Sequence, residues 1–392
     1  MKIQLMNISR QYMEHQEEFD KAVLPVLYSG NYIGGPCVKE FEANFAKALN
    51  VEYCVSCGNG TDALVLALRA LGIGPGDEVI TVAFTFFATS ESISAVGATP
   101  VFIDVDKDTY CMNPDLIEEK ITPRTKAILP VHFYGNVCDM DKIMAIARKH
   151  NLYVVEDCAQ AAKCLYKGKC VGTIGDIGCF SFFPTKILGC GGDGGAIVSN
   201  NKEYADACRS YKMHGSGLDG VKTMEKEYAR QGKKIPSNMI IEDDKYHNYL
   251  IGYNSRLDAV QAALLNAKLK YLDNYIDRRR SNASFYNEKL KGSAYKLPFE
   301  SDYAKHGYYV YAVVVDNAKE VCQALNENGV EVHTYYPVPL HLQGVYADLG
   351  YKKGDLPVSE YLSEHSFAIP VYPEVTKEEM EYVIDILLKY GK

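Results

Sequence analysis

One lysine, Lys186, stands in "CFSFFPTKILGCGGDGGAIVSNN" between a run of aromatics and a run of glycines. A flexible primary amine held in a tight turn can condense with a carbonyl and can carry a proton. Alone, such a lysine reads equally as a solvated turn residue. A second group lies in "LYVVEDCAQAA", where a buried strand runs straight into Glu156 and Asp157. A carboxylate at the end of an apolar run needs a partner, because burying it unpaired costs several kcal/mol. Asp157 also reads as a simple helix cap. A third group is "GNGTDAL", a turn between a predicted strand and a predicted helix, whose backbone N–H groups and Thr61 hydroxyl could converge on one anion. Its plain reading is a turn capped by Thr61 or Asp62.

Pyridoxal 5′-phosphate accounts for all three features at once. Its phosphate takes backbone donors, its ring nitrogen stays protonated beside a fixed carboxylate, and its aldehyde condenses with an amine. Phe86, in "AFTFFATS", is placed to stack on the ring, with core packing as its alternative use. The turn lacks the spacings of a P-loop and of a GxGxxG dinucleotide site, so neither ATP nor NAD is favoured.

The elements that must hold these groups follow a βαβ rhythm from about residue 50. VEYCVSC, DEVITVAF, PVFIDVD, KAILPVHFYG and LYVVED read as strands, and DALVLALRALG, FATSESISAVG and MDKIMAIARKH as helices, with LIEEKI continuing the pattern. The fold class predicted is α/β, a mainly parallel sheet with helices on both faces, and ligands then belong at the carboxyl ends of its strands. "LYKGKCVGTIGD" and "GDGGAIVSN" are expected to add edge strands beside that crevice. Residues 215 to 247 lose apolar periodicity and gain charge, which predicts an exposed insertion or lid. "SRLDAVQAALLNAKLKYLDNYIDRRRSNASFYNEKL" predicts one long helix joining two domains. The division expected is 1–255 for a large cofactor-binding domain and 256–392 for the linking helix and a small α+β domain.

At 392 residues the chain is too long for a single compact unit. Hydrophobic residues at 47% and charged residues at 23% exclude disordered and coiled-coil classes. The net charge of −8 gives no cationic field for a nucleic acid. The amino terminus turns polar within ten residues and no stretch resembles a membrane span, so a cytoplasmic protein without a membrane partner is expected. Twelve cysteines are scattered without metal-ligand spacing, and the Cys54–Cys57 pair lies in a strand-like run; reduced core thiols and no metal site are predicted.

The chain resembles the DegT/StrS family of nucleotide-sugar aminotransferases, within the fold-type I pyridoxal-phosphate enzymes, over nearly its whole length. "GNGTDALVLALRALGIGPGDEVITVAFTFFAT", "VVEDCAQA", "GDIGCFSFFPTKILGCGGDGGAIVSN", "GYNSRLDAVQAALLNAKLKYLD" and "YYPVPLHLQ" carry the resemblance, in the family's order. It implies a seven-stranded-type sheet and Lys186 as the Schiff-base lysine. It further implies Asp157 at the pyridine nitrogen, Gln160 at the ring hydroxyl, Phe86 on the ring face, and Thr61, Asp62 and Ser181 at the phosphate. Asn254 matches a residue reaching the phosphate from a second subunit, which implies a homodimer with shared sites. Where many members have His-Gly after Gln160–Ala161, this chain has Ala162–Lys163.

The activity implied is transfer of an amino group from L-glutamate to a keto-sugar carried on dTDP or UDP, in two half-reactions on one site. "YYPVPLHLQ" is closer to members that act at C3; action at C4 is the alternative, and a non-enzymatic regulatory role a further one. Retention of Lys186 favours transamination over dehydration, for which the family carries histidine there. Candidate substrate contacts are His214, Arg256, Tyr336 and His341. Each also has a plain structural reading, as a packed loop histidine, a surface ion pair or a core tyrosine.

Overall fold

A computed structural model describes residues Met1–Lys392. Before the sheet come α1 (Ile8–Glu14), α2 (Gln16–Ser29) and α3 (Pro36–Leu49). The strands and crossover helices then alternate: β1 (Tyr53–Cys57), α4 (Gly60–Ala70), β2 (Glu78–Val82), α5 (Ala88–Ala95), β3 (Thr99–Ile103), β4 (Thr125–Ile128), α6 (Met140–His150) and β5 (Tyr153–Asp157). The two-residue strands β6 (Leu165–Tyr166) and β7 (Lys169–Cys170) precede β8 (Ile177–Ser181) and β9 (Gly195–Ser199). Seven strands form one sheet in the order β1-β9-β8-β5-β4-β2-β3. Neighbours from β3 to β8 run parallel, whereas β9 runs antiparallel to both β8 and β1. Every residue of β2 and of β9 is buried, as expected for strands covered by helices on both faces. α4 is buried from Ala63 to Leu68, so its unbroken apolar run marks a central helix rather than an amphipathic one.

The α/β class and the mainly parallel sheet match the expectation from sequence. Several local readings differ. "GDGGAIVSN" contains β9, an interior strand paired on both sides and buried at all five residues. "LYKGKCVGTIGD" does form a hairpin, β6 with β7, but in a separate three-stranded sheet with β10 (Ala304–Lys305). After α7 (Lys202–Lys212), the first half of the supposed insertion is a helix, α8 (Gly217–Arg230), packed through Val221, Thr223 and Met224. Its charges lie on the outer face and mask that stripe; residues 231–248 are irregular and mostly exposed. The long helix is two, α9 (Ala259–Leu269) and α10 (Leu272–Lys289), parted at Lys270–Tyr271. "LIEEKI" gives two short 3₁₀ turns instead of a helix.

A second apolar core gathers β11 (Tyr311–Val314), α11 (Ala318–Glu327), residues that follow α12 (Pro357–His365), β12 (Ser366–Ile369) and α13 (Lys377–Tyr390). Two cores support the two-domain division, which we retain as a proposal. The chain crosses between them: Ile3 lies in the smaller core and pairs with Val330, whereas Leu257, Ala262, Leu265 and Leu272 lie in the larger. All twelve cysteines are free, Cys54 and Cys57 among the buried ones. No helix is long and apolar enough to cross a membrane.

Candidate active site

The sheet register brings the three groups to one rim. Cys57, the last residue of β1, pairs with Gly195, the first of β9, and Gly195 pairs in turn with Ser181, the last of β8. On the other side of β8, Cys179 pairs with Asp157 at the end of β5. The "GNG" turn, the Lys186 loop and the Asp157 carboxylate therefore all leave the sheet at the carboxyl ends of neighbouring strands, where open α/β sheets place ligands.

Glu156 and Asp157 point to opposite faces of β5, as successive strand residues must. Glu156 is fully buried, and its carboxylate accepts from the N–H groups of Gly172 (2.8 Å), Ile174 (2.8 Å) and Gly175 (2.7 Å). His132 Nε2 lies 3.0 Å away. His132 Nδ1 accepts from Cys138 N–H, so Nε2 carries the proton that it donates to Glu156. Burial alone would raise the Glu156 pKa, but the His132 bond and these backbone donors outweigh it and hold the pKa below its ordinary value. Asp157 is the reverse. It accepts from Thr89 Oγ1 (2.9 Å) and Ala159 N–H (3.1 Å), and burial, the largest effect, pushes its pKa up despite both bonds and the nearby charge of Lys186. Asp157 is a buried carboxylate on the crevice side with no cation in hydrogen-bonding contact.

The anion cradle forms because Asn59 caps α4. Its Oδ1 accepts from Asp62 N–H (2.8 Å), a role the sequence reading gave to Thr61 or Asp62. The N–H groups of Gly60 and Thr61 have no preceding helical turn to bond to. Gly60 lies so close to β8 that a Cβ there would stand 2.7 Å from Ser181 Cβ, and a Cβ on Gly195 would stand 2.3 Å from Asn59 O. Glycine at both positions lets the turn seat against the strand ends. The Asp62 side chain does not enter this cradle as a free carboxylate: its Oδ2 accepts from Ser255 Oγ (2.6 Å), which itself accepts from Gly58 N–H (3.0 Å).

Lys186 is half-buried, and its Nζ lies 4.7 Å from the Tyr309 ring centroid. The Tyr309 hydroxyl meets Thr185 Oγ1 at 3.2 Å, and its carbonyl accepts from the buried Arg279 guanidinium (3.2 Å). Phe86 is 53% exposed in the crevice, with Tyr336 beside it at 5.4 Å between ring centroids. Burial, reinforced by Tyr309, Tyr335 and Asp157, raises the Tyr336 phenol, and Gln160 lies against it. Gln160 Oε1 accepts from Tyr134 N–H (2.7 Å), leaving its amide nitrogen to the crevice side.

Of the proposed substrate contacts, Tyr336 joins this site. Arg256 is half-buried, and its side chain makes no ion pair or hydrogen bond, so the surface ion-pair reading does not apply. Asn254, on the same side of the extended segment, is exposed, whereas Ser255 between them points inward to Asp62. His214 is exposed, with its backbone tied to Tyr253 and Asn248. His341 is not brought to the crevice. It is 1% exposed, and its Nε2 meets Glu360 on α12 at 3.0 Å, beside a small cluster formed by Ala83, Phe102, Leu340 and Tyr346. Sequence reading missed Asn59, Thr89, Ser255 and Tyr309. Only Asn59 carried a local signal, as an N-cap type one residue before a helix.

These residues fit pyridoxal phosphate on grounds of their own chemistry. Asp157 lacks a cation that a protonated ring nitrogen would supply, the cradle offers donors to a dianion, and Lys186 offers an amine on the same rim. The buried donors His132, Glu156 and Cys158 lie within 4.8 Å of one another, but the hydrogen bonds of Glu156 and His132 already commit them.

Residues 13–388 match the DegT/DnrJ/EryC1/StrS aminotransferase family. The chain is 40% identical over 393 residues to a pleiotropic regulatory protein of Geobacillus stearothermophilus, covering 100% of this chain and 99% of that one. It is 40% identical over 389 residues to dTDP-3-amino-3,6-dideoxy-alpha-D-galactopyranose transaminase of Aneurinibacillus thermoaerophilus, covering 99% of each. The crystal structure of DesV from S. venezuelae, in complex with a ketimine intermediate, superposes with a TM-score of 0.91 at 36% identity, over 99% of this chain and 98% of that one. Other solved neighbours were determined with pyridoxamine phosphate or pyridoxal phosphate bound.

Proposed function

Because the chain belongs to the DegT/DnrJ/EryC1/StrS aminotransferase family, we propose that it moves an amino group from L-glutamate to the C3 carbonyl of a keto-sugar linked to dTDP or UDP. The protein is a pyridoxal-phosphate-dependent sugar aminotransferase. One observation carries the reading: an amine, Lys186, shares a rim with Asp157, a buried carboxylate that lacks a cation.

Bound pyridoxal phosphate supplies an aldehyde that exchanges amines and a ring that draws electrons from the carbon losing its proton. With that cofactor bound, Lys186 Nζ would hold its aldehyde carbon and, when free as an amine, would accept and return a proton at the amino-bearing carbon. Asp157 would keep the ring nitrogen protonated, and Thr89 and Ala159 hold its two oxygens in place. Gly60, Thr61 and Ser181 would hold the phosphate, Phe86 would cover the ring, and Gln160 would meet its hydroxyl. Tyr336 and Arg256 face the sugar side.

The site is completed, in this reading, by a second copy of the chain in a homodimer working in the cytoplasm. Exposed Asn254 and partnerless Arg256 support it, as do the exposed apolar side chains of Ile33, Phe183 and Ile251. The regulatory name of one relative favours no separate site here, since Lys186 and Asp157 are both present and juxtaposed.

The deciding experiment incubates the holoenzyme with glutamate and a panel of dTDP- and UDP-linked 3-keto and 4-keto sugars, with products identified by NMR. Amination at C3 of one of them is expected, and Lys186→Ala should lower turnover by at least about 10³-fold. It should also lose the borohydride-sensitive absorbance of the wild type. Amination only at C4, or only of a small keto acid, overturns the substrate reading; a wild-type protein that binds no cofactor overturns the whole.

A further inference from the structure

The loop that carries Lys186 leaves β8 after Ser181 and re-enters the sheet at Gly195. It closes on itself. Cys190 N–H and Sγ both meet Phe182 O, at 2.8 and 2.9 Å, and Lys186 N–H donates to Phe183 O at 2.8 Å. Gly189 is pressed against the Pro184–Thr185 peptide, one residue before Lys186, so that a Cβ there would stand 2.3 Å from Pro184 O.

Two side chains of α9 bond the backbone of this loop from outside. Gln261 Oε1 accepts from Gly191 N–H at 2.7 Å, and Lys268 Nζ donates to Gly189 O at 2.7 Å. The two are seven residues apart, which puts them on one face of the helix, two turns from each other. Gln261 stays half-exposed, but Lys268 is only 3% exposed, on a helix that also buries Ala263, Leu264, Leu265 and Ala267. Burial lowers its pKa to about 8, and the titratable groups that face it are the Cys190 thiol and the Glu374 carboxylate, neither of which bonds it. A buried ammonium with one neutral carbonyl as its bonded partner costs more than a packed leucine or methionine would at the same place. Packing alone therefore does not account for the charge, and its one bond points to the Gly189 carbonyl.

We propose that Lys268, with Gln261, is a positioning residue for the catalytic amine: the pair clamps the Gly189–Gly191 backbone, and through the Gly189–Pro184 contact sets the direction of Lys186. The inference rests on Lys186 being the cofactor-bearing amine. A shift of about 1 Å in a reacting group is enough to cost about 10- to 100-fold in rate.

The test compares wild type, Lys268→Met and Gln261→Ala as holoenzymes. In wild type, borohydride reduction followed by peptide mass should fix the cofactor on the Lys186 peptide; reduction elsewhere sinks the reading of Lys186 itself. With that established, Lys268→Met should keep its thermal stability within a few degrees, since a buried charge has been removed. Its visible cofactor band should titrate at a shifted pH, and kcat should fall about 10- to 100-fold with KM for the sugar within about threefold. Gln261→Ala should shift the band in the same direction by less, and the double variant should show less than the sum of the two effects. A folded Lys268→Met protein with the wild-type band, titration and kcat would overturn the clamp. If that variant does not fold, an unchanged band and kcat in Gln261→Ala overturns it in the same way.

Discussion

Glu156 and Asp157 are adjacent, equally enclosed, and shifted in opposite directions: four N–H donors hold the first ionised, and burial without a bonded cation raises the second. The strand period turns one carboxylate into the scaffold and the other toward the crevice. The acid committed to the scaffold and the acid proposed to meet the cofactor are thus consecutive residues.

Their amide variants should differ in sign. Glu156→Gln places an NH₂ against N–H donors and should destabilise the fold by about 3 kcal/mol. The folded pKa of Glu156 is depressed, so its contribution is present above its unfolded value of about 4.3 and is lost as pH falls through the folded value. Asp157 has a raised folded pKa, so cofactor-free protein loses stability as pH rises from about 3.9 through that interval. Asp157→Asn should accordingly stabilise the cofactor-free protein at pH 7, with the gain vanishing near pH 4. In the holoenzyme the same change should lower kcat by about 10²–10³-fold. Denaturant titrations across pH, with and without cofactor, check both; equal destabilisation by the two variants at pH 7 would contradict the assignment.

Gly60→Ala puts a methyl group against Ser181 Cβ and should open the anion cradle. Overpacking of this kind costs about 1–3 kcal/mol. Fluorescence titration of the cofactor-free variant with pyridoxal phosphate should give a Kd raised by about tenfold or more. An unchanged Kd would move the phosphate away from this turn.

His341→Ala removes the Nε2 bond to Glu360 from inside the protein and should cost about 1–3 kcal/mol in stability. Because the ring faces α12 and not the crevice, KM for the sugar should stay within about threefold of wild type at a temperature where the variant is folded. A large KM effect without a stability loss would return His341 to the substrate.

If Asn254 completes a partner's site, inactive Lys186→Ala and impaired Asn254→Ala chains should complement each other. Random reassortment of a 1:1 mixture leaves half of the dimers mixed, each with one intact site, so activity should recover to about a quarter of wild type. No recovery, with mixed dimers demonstrated by mass, would confine each site to its own chain.

Much of the site was legible because its signals are local. A lysine between aromatics and glycines, a carboxylate at the end of an apolar strand, and a glycine turn ahead of a helix each follow from neighbouring residues, and the βαβ rhythm implies that all three share a rim. Partner choice was not legible, because it depends on residues distant in sequence. Nothing around Gly195–Ser199 told that β9 inserts between β1 and β8, because a short apolar run reads alike at an edge and in the middle. The charged outer face of α8 hid the stripe of Val221 and Met224. His341, in a motif read as substrate-facing, turned inward because Glu360 arrives from α12. Tyr309 under Lys186, Thr89 on Asp157 and Lys268 behind Gly189 are set by packing between elements far apart in the chain. Sequence alone determined which chemical groups exist and on which strand ends they ride; the tertiary structure decided which of them are bonded, which remain free for chemistry, and what aims the amine, since side-chain partners across a sheet are fixed by register and burial and not by local preference.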